Sequence, residues 1–117
     1  IDDEEFVRQF MQEALRSSFG CTIDTAVDGA DALGKLARGN YDLILTDIRM
    51  PRMDGWQVLE WIQRNRPELV RRTVFVTGHA GSAETEGELN QLPGPVVRKP
   101  FTLDAIRDVC REYLAVA

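Results

Sequence analysis

Histidine is almost missing from this 117-residue chain. His79 is the only one, which excludes a His-rich metal site and leaves histidine chemistry to this residue or to a partner. Cysteine is scarce as well. Cys21 and Cys110 stand far apart, in no CxxC or Cys/His cluster, and are expected as buried, reduced thiols of a cytoplasmic protein rather than as a disulfide or metal site. Lysine occurs only at Lys35 and Lys99, against twelve arginines. No apolar run approaches the ~20 residues that span a bilayer, and no signal-peptide pattern opens the sequence, so no membrane contact is expected. An excess of basic charge is lacking too. The formal net charge of −5 argues against non-specific binding to DNA, RNA or anionic lipid. Repeats, low-complexity segments and long linkers are absent, so 1–117 is read as one domain. With 44% hydrophobic and 28% charged residues, the chain can bury a single core.

Apolar periodicity divides the chain into alternating elements. Phe6, Val7, Phe10, Met11, Ala14 and Leu15 form two adjoining i,i+4 stripes, predicting an amphipathic helix over 4–19 stopped by Gly20. Cys21–Val27 alternates and is rich in β-branched residues, predicting a strand. Asp28 caps a helix from Gly29 to Arg38, stopped by Gly39. Leu43-Ile44-Leu45-Thr46 has the continuous apolarity of a strand buried on both faces of a parallel sheet. A loop with Pro51 and Gly55 leads into a helix over 55–65, and Thr73–Thr77 is a second buried strand. A weak helix over 82–92 contains Gly87, and Val96–Arg98 is a short strand. The last helix starts after the N-cap Thr102 and carries Ile106, Val109, Cys110 and Leu114. Strands alternating with helices give an α/β domain with helices on both faces of a parallel sheet. Its binding crevice lies at the carboxyl ends of the strands.

Those ends carry acids, a hydroxyl and an ammonium. Asp2-Asp3 follow Ile1, Asp47 ends the Leu43–Thr46 run, Thr77 ends the next strand and Lys99 follows the last. A single acid at a strand end is usually a cap or turn residue. Five such residues ending successive strands are much harder to explain as capping.

On these residues the chain resembles the receiver domain of two-component response regulators. Asp2-Asp3-Glu4-Glu5, the stretch Leu43-Ile44-Leu45-Thr46-Asp47-Ile48-Arg49-Met50-Pro51-Arg52-Met53-Asp54-Gly55, Val74–Gly78 and Arg98-Lys99-Pro100-Phe101 look like that family's landmarks, in its order. The resemblance implies a flavodoxin-like doubly wound parallel sheet of order 2-1-3-4-5. It also implies that Asp47 is the nucleophile taking a phosphoryl group from a phosphohistidine on a sensor histidine kinase or histidine phosphotransfer domain. A carboxylate is a weak nucleophile, so such a site works mainly by alignment and charge neutralisation. Mg²⁺ is the implied cofactor, held by Asp3 and Asp47, by Asp2 partly through water, and by the main-chain carbonyl of Arg49. It suits a few carboxylates in an open crevice because it takes oxygen ligands at about 2.0–2.1 Å and keeps several waters. Thr77 and Lys99 would meet phosphoryl oxygens. In so arginine-rich a chain, a lysine at 99 looks selected for its compact head group. Pro100 is the place to expect a cis bond.

Several features depart from the family pattern or stay open. Val96 stands where an aromatic switch residue is usual, so a Thr77-coupled switch would lack its aromatic partner here. Dimerisation through helix 82–92, Val96–Arg98 and the last helix is a minority reading, and the oligomeric state stays open. His79 and Arg49 are placed by analogy at the crevice mouth, where side chains govern water access; a solvated loop histidine is the plainer alternative. Trp56, Trp61, Phe75 and Phe101 are expected as core or half-buried packing, and Arg71-Arg72 as a solvated turn. Part of the first helix's wide apolar face is a candidate docking surface for a kinase or phosphotransfer helix, beside ordinary burial. A phosphatase using Asp47 is disfavoured because the Asp-x-Asp start of haloacid-type phosphatases is missing, and a binding-only receiver is disfavoured because all five site residues are present. Among settings, the C-terminal receiver of a hybrid histidine kinase is favoured over a stand-alone regulator or the receiver of a transcription factor. The first strand is expected to be largely absent from the chain. Ile1 can only be its last residue, so a short Val/Ile/Leu-rich segment upstream or a donated strand is expected.

Overall fold

The structure is a computed structural model and describes residues 1–50, 52–78, 87, 90–98 and 101–114. Helix α1 spans Glu5–Phe19 and ends at Gly20, whose φ of 63° is the left-handed stop that glycine supplies without strain. Helix α2, Gly29–Arg38, begins after Asp28, whose side chain accepts a hydrogen bond from the Asp31 amide. Strand β1 is Ile44–Asp47. Helix α3, Gly55–Asn65, opens with a capping box in which the Asp54 and Gln57 side chains each bond the other's backbone amide. A 3₁₀ segment, Pro67–Arg72, then feeds strand β2, Thr73–Thr77. Strand β3 is Val96–Arg98, and helix α4 is Leu103–Leu114, its Ala105 amide bonded to the Thr102 hydroxyl. Residues 79–86, 88–89 and 99–100 lie outside the described residues, and with them the expectations for His79, most of helix 82–92, Lys99 and Pro100.

The three strands form a parallel sheet in the order β1-β2-β3, with Asp47 opposite Val76 and Thr77 opposite Arg98. Alternate residues feed opposite faces. Val74 and Val97 pack with Leu15 of α1 and with Ile106 and Cys110 of α4 on one side. Ile44 packs with Leu36 of α2 and with Val58 and Ile62 of α3 on the other. Phe75 joins Ile48 and Leu59 on that second face. This is the doubly wound α/β arrangement expected from the alternating pattern. No helix among the described residues is long and apolar enough to cross a membrane.

Beyond β1 the layer continues through Ile1 and Asp2. The Ile1 nitrogen donates to the Leu45 carbonyl, the Ile1 carbonyl accepts from the Asp47 amide, and the Asp2 amide donates to the Ala26 carbonyl. The spatial sequence is therefore 21–27, Ile1–Asp2, β1, β2, β3, the order 2-1-3-4-5.

The expected strand Cys21–Val27 is not a strand. Its faces still alternate: Cys21 and Ile23 pack against the α1/α4 core, while Thr22 and Asp24 are exposed. A ladder, however, needs a hydrogen-bonding neighbour along the segment's length. Beside Cys21–Thr25 lies a cavity of about 520 Å³ bounded also by Met11, Leu15 and Leu43.

Helix α1 buries less than its two stripes suggest. Ala14 and Leu15 are buried, Val7, Phe10 and Met11 are half-buried, and Phe6 is 79% exposed. Trp56, Trp61 and Phe101 are half-buried and Phe75 is fully buried, as expected of packing aromatics. Cys21 and Cys110 are free thiols; Cys110 is buried as expected, whereas Cys21, against the expectation, is only half-buried at the margin of the α1/α4 core. Arg71 and Arg72 close the 3₁₀ turn, and Arg72 donates to the Asp42 carbonyl.

Candidate functional site

The carboxyl end of β1 delivers Asp47 into a buried position. Its backbone is held from both sides of the layer, its amide by the Ile1 carbonyl and the following Ile48 amide by Val76. Ile48's amide also donates to Asp47 Oδ1 at 2.8 Å, which fixes the rotation of the carboxylate. The neighbouring Thr46 hydroxyl donates to the Asp47 carbonyl at 2.9 Å.

Asp2 reaches the same place from the adjoining strand position. It is buried, Oδ1 accepting from the Glu4 amide and its carbonyl from Arg8 Nη1. Asp3 is exposed. Carboxylate oxygens of Asp2, Asp3 and Asp47 all lie within 4.8 Å of one another. Residues 44 positions apart in the chain thus meet because Ile1 is laced to β1.

Thr77 ends β2, 1% exposed and one residue beyond the partner of Asp47. Arg49 lies two residues past Asp47 with an exposed side chain, so its side chain is not held in the core. Lys99 follows Arg98, the residue paired with Thr77, and lies outside the described residues. Val96, in the expected switch position, is half-buried beside the Phe75 cluster.

The donor set suits a hard divalent cation. It is all oxygen and anionic, with two members fixed in the protein and one at the solvent edge, so coordination positions stay open to water. The loop that follows β1 is closed tightly against it. Gly55's amide donates to the Ile48 carbonyl at 2.7 Å, and a Cβ at Gly55 would stand 2.5 Å from the Asp47 carbonyl oxygen. Glycine is required there for the close approach, since any side chain would displace the backbone that carries Asp47.

The residues that anchor this loop on its other side were not evident in the sequence. Asp28 showed only as a helix cap, yet its second oxygen faces Arg52 Nη2 at 3.6 Å. Arg52 itself has a φ of 69°. A left-handed residue leaves no mark in sequence when it is not glycine or asparagine.

Over residues 1–111 the chain matches the family described as response regulator receiver domain. Among curated proteins it is 33% identical over 113 residues to the sensor histidine kinase RcsC of Salmonella typhi, covering 97% of this chain and 12% of that protein. It is 36% identical over 109 residues to the DNA-binding transcriptional regulator NtrC of Escherichia coli, covering 89% of this chain and 22% of that one. The chain therefore spans a small part of these relatives. Among solved structures, the receiver domain of NtrX from Brucella abortus superposes with a TM-score of 0.82 at 29% identity, covering 99% and 96% of the two chains. The receiver domain of the sensor histidine kinase PA1611 from Pseudomonas aeruginosa, described with a magnesium ion coordinated in its active site cleft, gives 0.82 at 23% identity, covering 99% and 94%. At that identity the likeness shows the fold.

Proposed function

Because the chain belongs to the response regulator receiver domain family of two-component signalling, we propose that 1–117 is one receiver domain accepting a phosphoryl group on Asp47. The observation that carries this reading is the convergence of Asp2, Asp3 and Asp47 within 4.8 Å at the carboxyl end of a parallel sheet, beside buried Thr77. In the reaction the phosphohistidine N–P bond breaks as an Asp47 oxygen–phosphorus bond forms. Asp47 supplies a carboxylate whose rotation the Ile48 amide restrains, so orientation is set before the donor arrives. Thr77 would donate its hydroxyl to one phosphoryl oxygen, and Lys99 would meet another. Asp2, Asp3, Asp47 and the Arg49 carbonyl would hold Mg²⁺, which when bound neutralises charge between the carboxylate and the phosphoryl oxygens. Water later hydrolyses the acyl phosphate, slowly, restoring Asp47.

The phosphoryl donor is a sensor histidine kinase or a histidine phosphotransfer domain. The hybrid-kinase setting comes first on sequence, because Thr77-Gly78-His79-Ala80 and the stretch 94–101 look most like hybrid-kinase receivers; the chain is similar to RcsC and NtrC alike. The coding sequence surrounding this domain distinguishes the two. For the site itself, incubation with acetyl phosphate or phosphoramidate and Mg²⁺ adds one phosphoryl group to the parent and none to Asp47→Asn. Equal uptake by that variant overturns the assignment, and failure of the parent to bind beryllofluoride with Mg²⁺ would favour a binding-only receiver.

A further inference from the structure

The loop between β1 and α3 is seated on the N-terminus of α2. Gly29, the first residue of α2, is buried, and a Cβ built on it would lie 2.7 Å from Met53 Cγ, 2.7 Å from the Met53 carbonyl oxygen and 2.8 Å from Met53 Cβ. Two of these atoms belong to backbone or to its first side-chain carbon, so no swing of the methionine tip could clear them. Gly29 does not have a left-handed φ, unlike Gly20. Its lack of a side chain is therefore used for contact, not for conformation.

Two further contacts act on the same loop. Asp28 divides its carboxylate between capping α2 through the Asp31 amide and facing Arg52. Arg52 is the only non-glycine residue with positive φ among the described residues. The guanidinium of Arg52 faces Asp28 and the next residue, Met53, packs on Gly29, so two contacts from the α2 N-terminus bear on this turn. At its far end the loop is tied by Gly55 to the Ile48 carbonyl.

Arg49 lies inside the segment held between these ties. Its proposed contribution to the cation is a main-chain carbonyl, and a carbonyl is aimed by the backbone alone; no rotamer can re-aim it. We infer that Gly29 is a positioning residue of the metal site: the close approach of α2 to Met53 sets the loop that aims the Arg49 carbonyl, with the Asp28–Arg52 pair as an auxiliary tie. This rests on the receiver reading above.

The test compares Gly29→Ala with Gly34→Ala in the same helix, where an added Cβ meets nothing within 4 Å. Mg²⁺ affinity is measured by titration calorimetry well below the melting temperature, and phosphoryl uptake from acetyl phosphate is followed against Mg²⁺ concentration. Gly34→Ala is expected to bind Mg²⁺ as the parent does. Gly29→Ala is expected to bind roughly tenfold more weakly, the scale of a lost outer-shell support, with uptake restored at saturating Mg²⁺. Should Gly29→Ala not fold, Asp28→Asn takes its place: asparagine keeps the cap on Asp31 and removes the charge facing Arg52, weakening Mg²⁺ binding about threefold. A parent that binds no Mg²⁺ overturns the receiver reading of the site. A parent that binds it, with Gly29→Ala (or Asp28→Asn in its place) binding equally well, overturns the positioning role alone.

Discussion

Replacing Asp47 by asparagine removes one of two buried carboxylates whose oxygens lie within 4.8 Å of each other and of exposed Asp3. For the Asp2–Asp47 pair, unit charges at that distance repel by about 3.5 kcal/mol at an effective dielectric of about 20. That figure is a ceiling, because water and salt reach the cluster through exposed Asp3. A third of it, about 1 kcal/mol, still moves the melting temperature by roughly 4 °C in a domain of this size. Asparagine is the informative replacement because its Oδ1 can keep accepting from the Ile48 amide, so the charge is lost and the hydrogen bond is not. Scanning calorimetry in EDTA should therefore show Asp47→Asn melting above the parent. Saturating Mg²⁺ should raise the parent and leave the variant unmoved, since ligand stabilisation needs a site to bind. Asp3→Asn should follow the same direction with a smaller gain that shrinks faster with added salt. A lower melting temperature for Asp47→Asn in EDTA would refute the repulsion account.

Gly55→Ala places a methyl 2.5 Å from the Asp47 carbonyl oxygen and 2.8 Å from Ile48 Cα, so urea unfolding should show a loss of about 1–3 kcal/mol; unchanged stability would mean the β1 end yields freely. Burial, with a smaller contribution from Cys21, pushes the Cys110 thiol up from 9 to about 12. Below pH 9 folded and unfolded chains both hold the thiol proton. Between 9 and 12 the unfolded chain loses it while the folded chain keeps it, so stability falls with rising pH across that window. Cys110→Ala should flatten that fall, and iodoacetamide should label Cys21 of the native protein but not Cys110; equal labelling would sink the assignment.

Much of this molecule follows from short-range chemistry along the chain. Gly20 and Gly39 after amphipathic stretches, Asp28 and Asp54 before them, and the apolar runs ending in Asp47 and Thr77 specify helices and strands within a residue or so of those observed. The acids and the hydroxyl at strand ends pointed to the crevice because a parallel sheet directs its carboxyl ends to one edge.

Other features depend on neighbours distant in sequence. Cys21–Val27 carries the alternation of a strand, but a ladder is a property of two segments, and the neighbouring Ile1–Asp2 meets it at the Ala26 carbonyl. Phe6 belongs to an apolar stripe and is nonetheless 79% exposed, because periodicity says which residues share a face and not what covers it. The left-handed turn at Arg52 and the approach of Gly29 to Met53 arise only when α2 meets the β1–α3 loop. The sequence alone determined which groups stand at the strand ends. Tertiary packing decided how closely they converge, because charge separation and backbone aim are set by contacts between elements, and no local propensity encodes those.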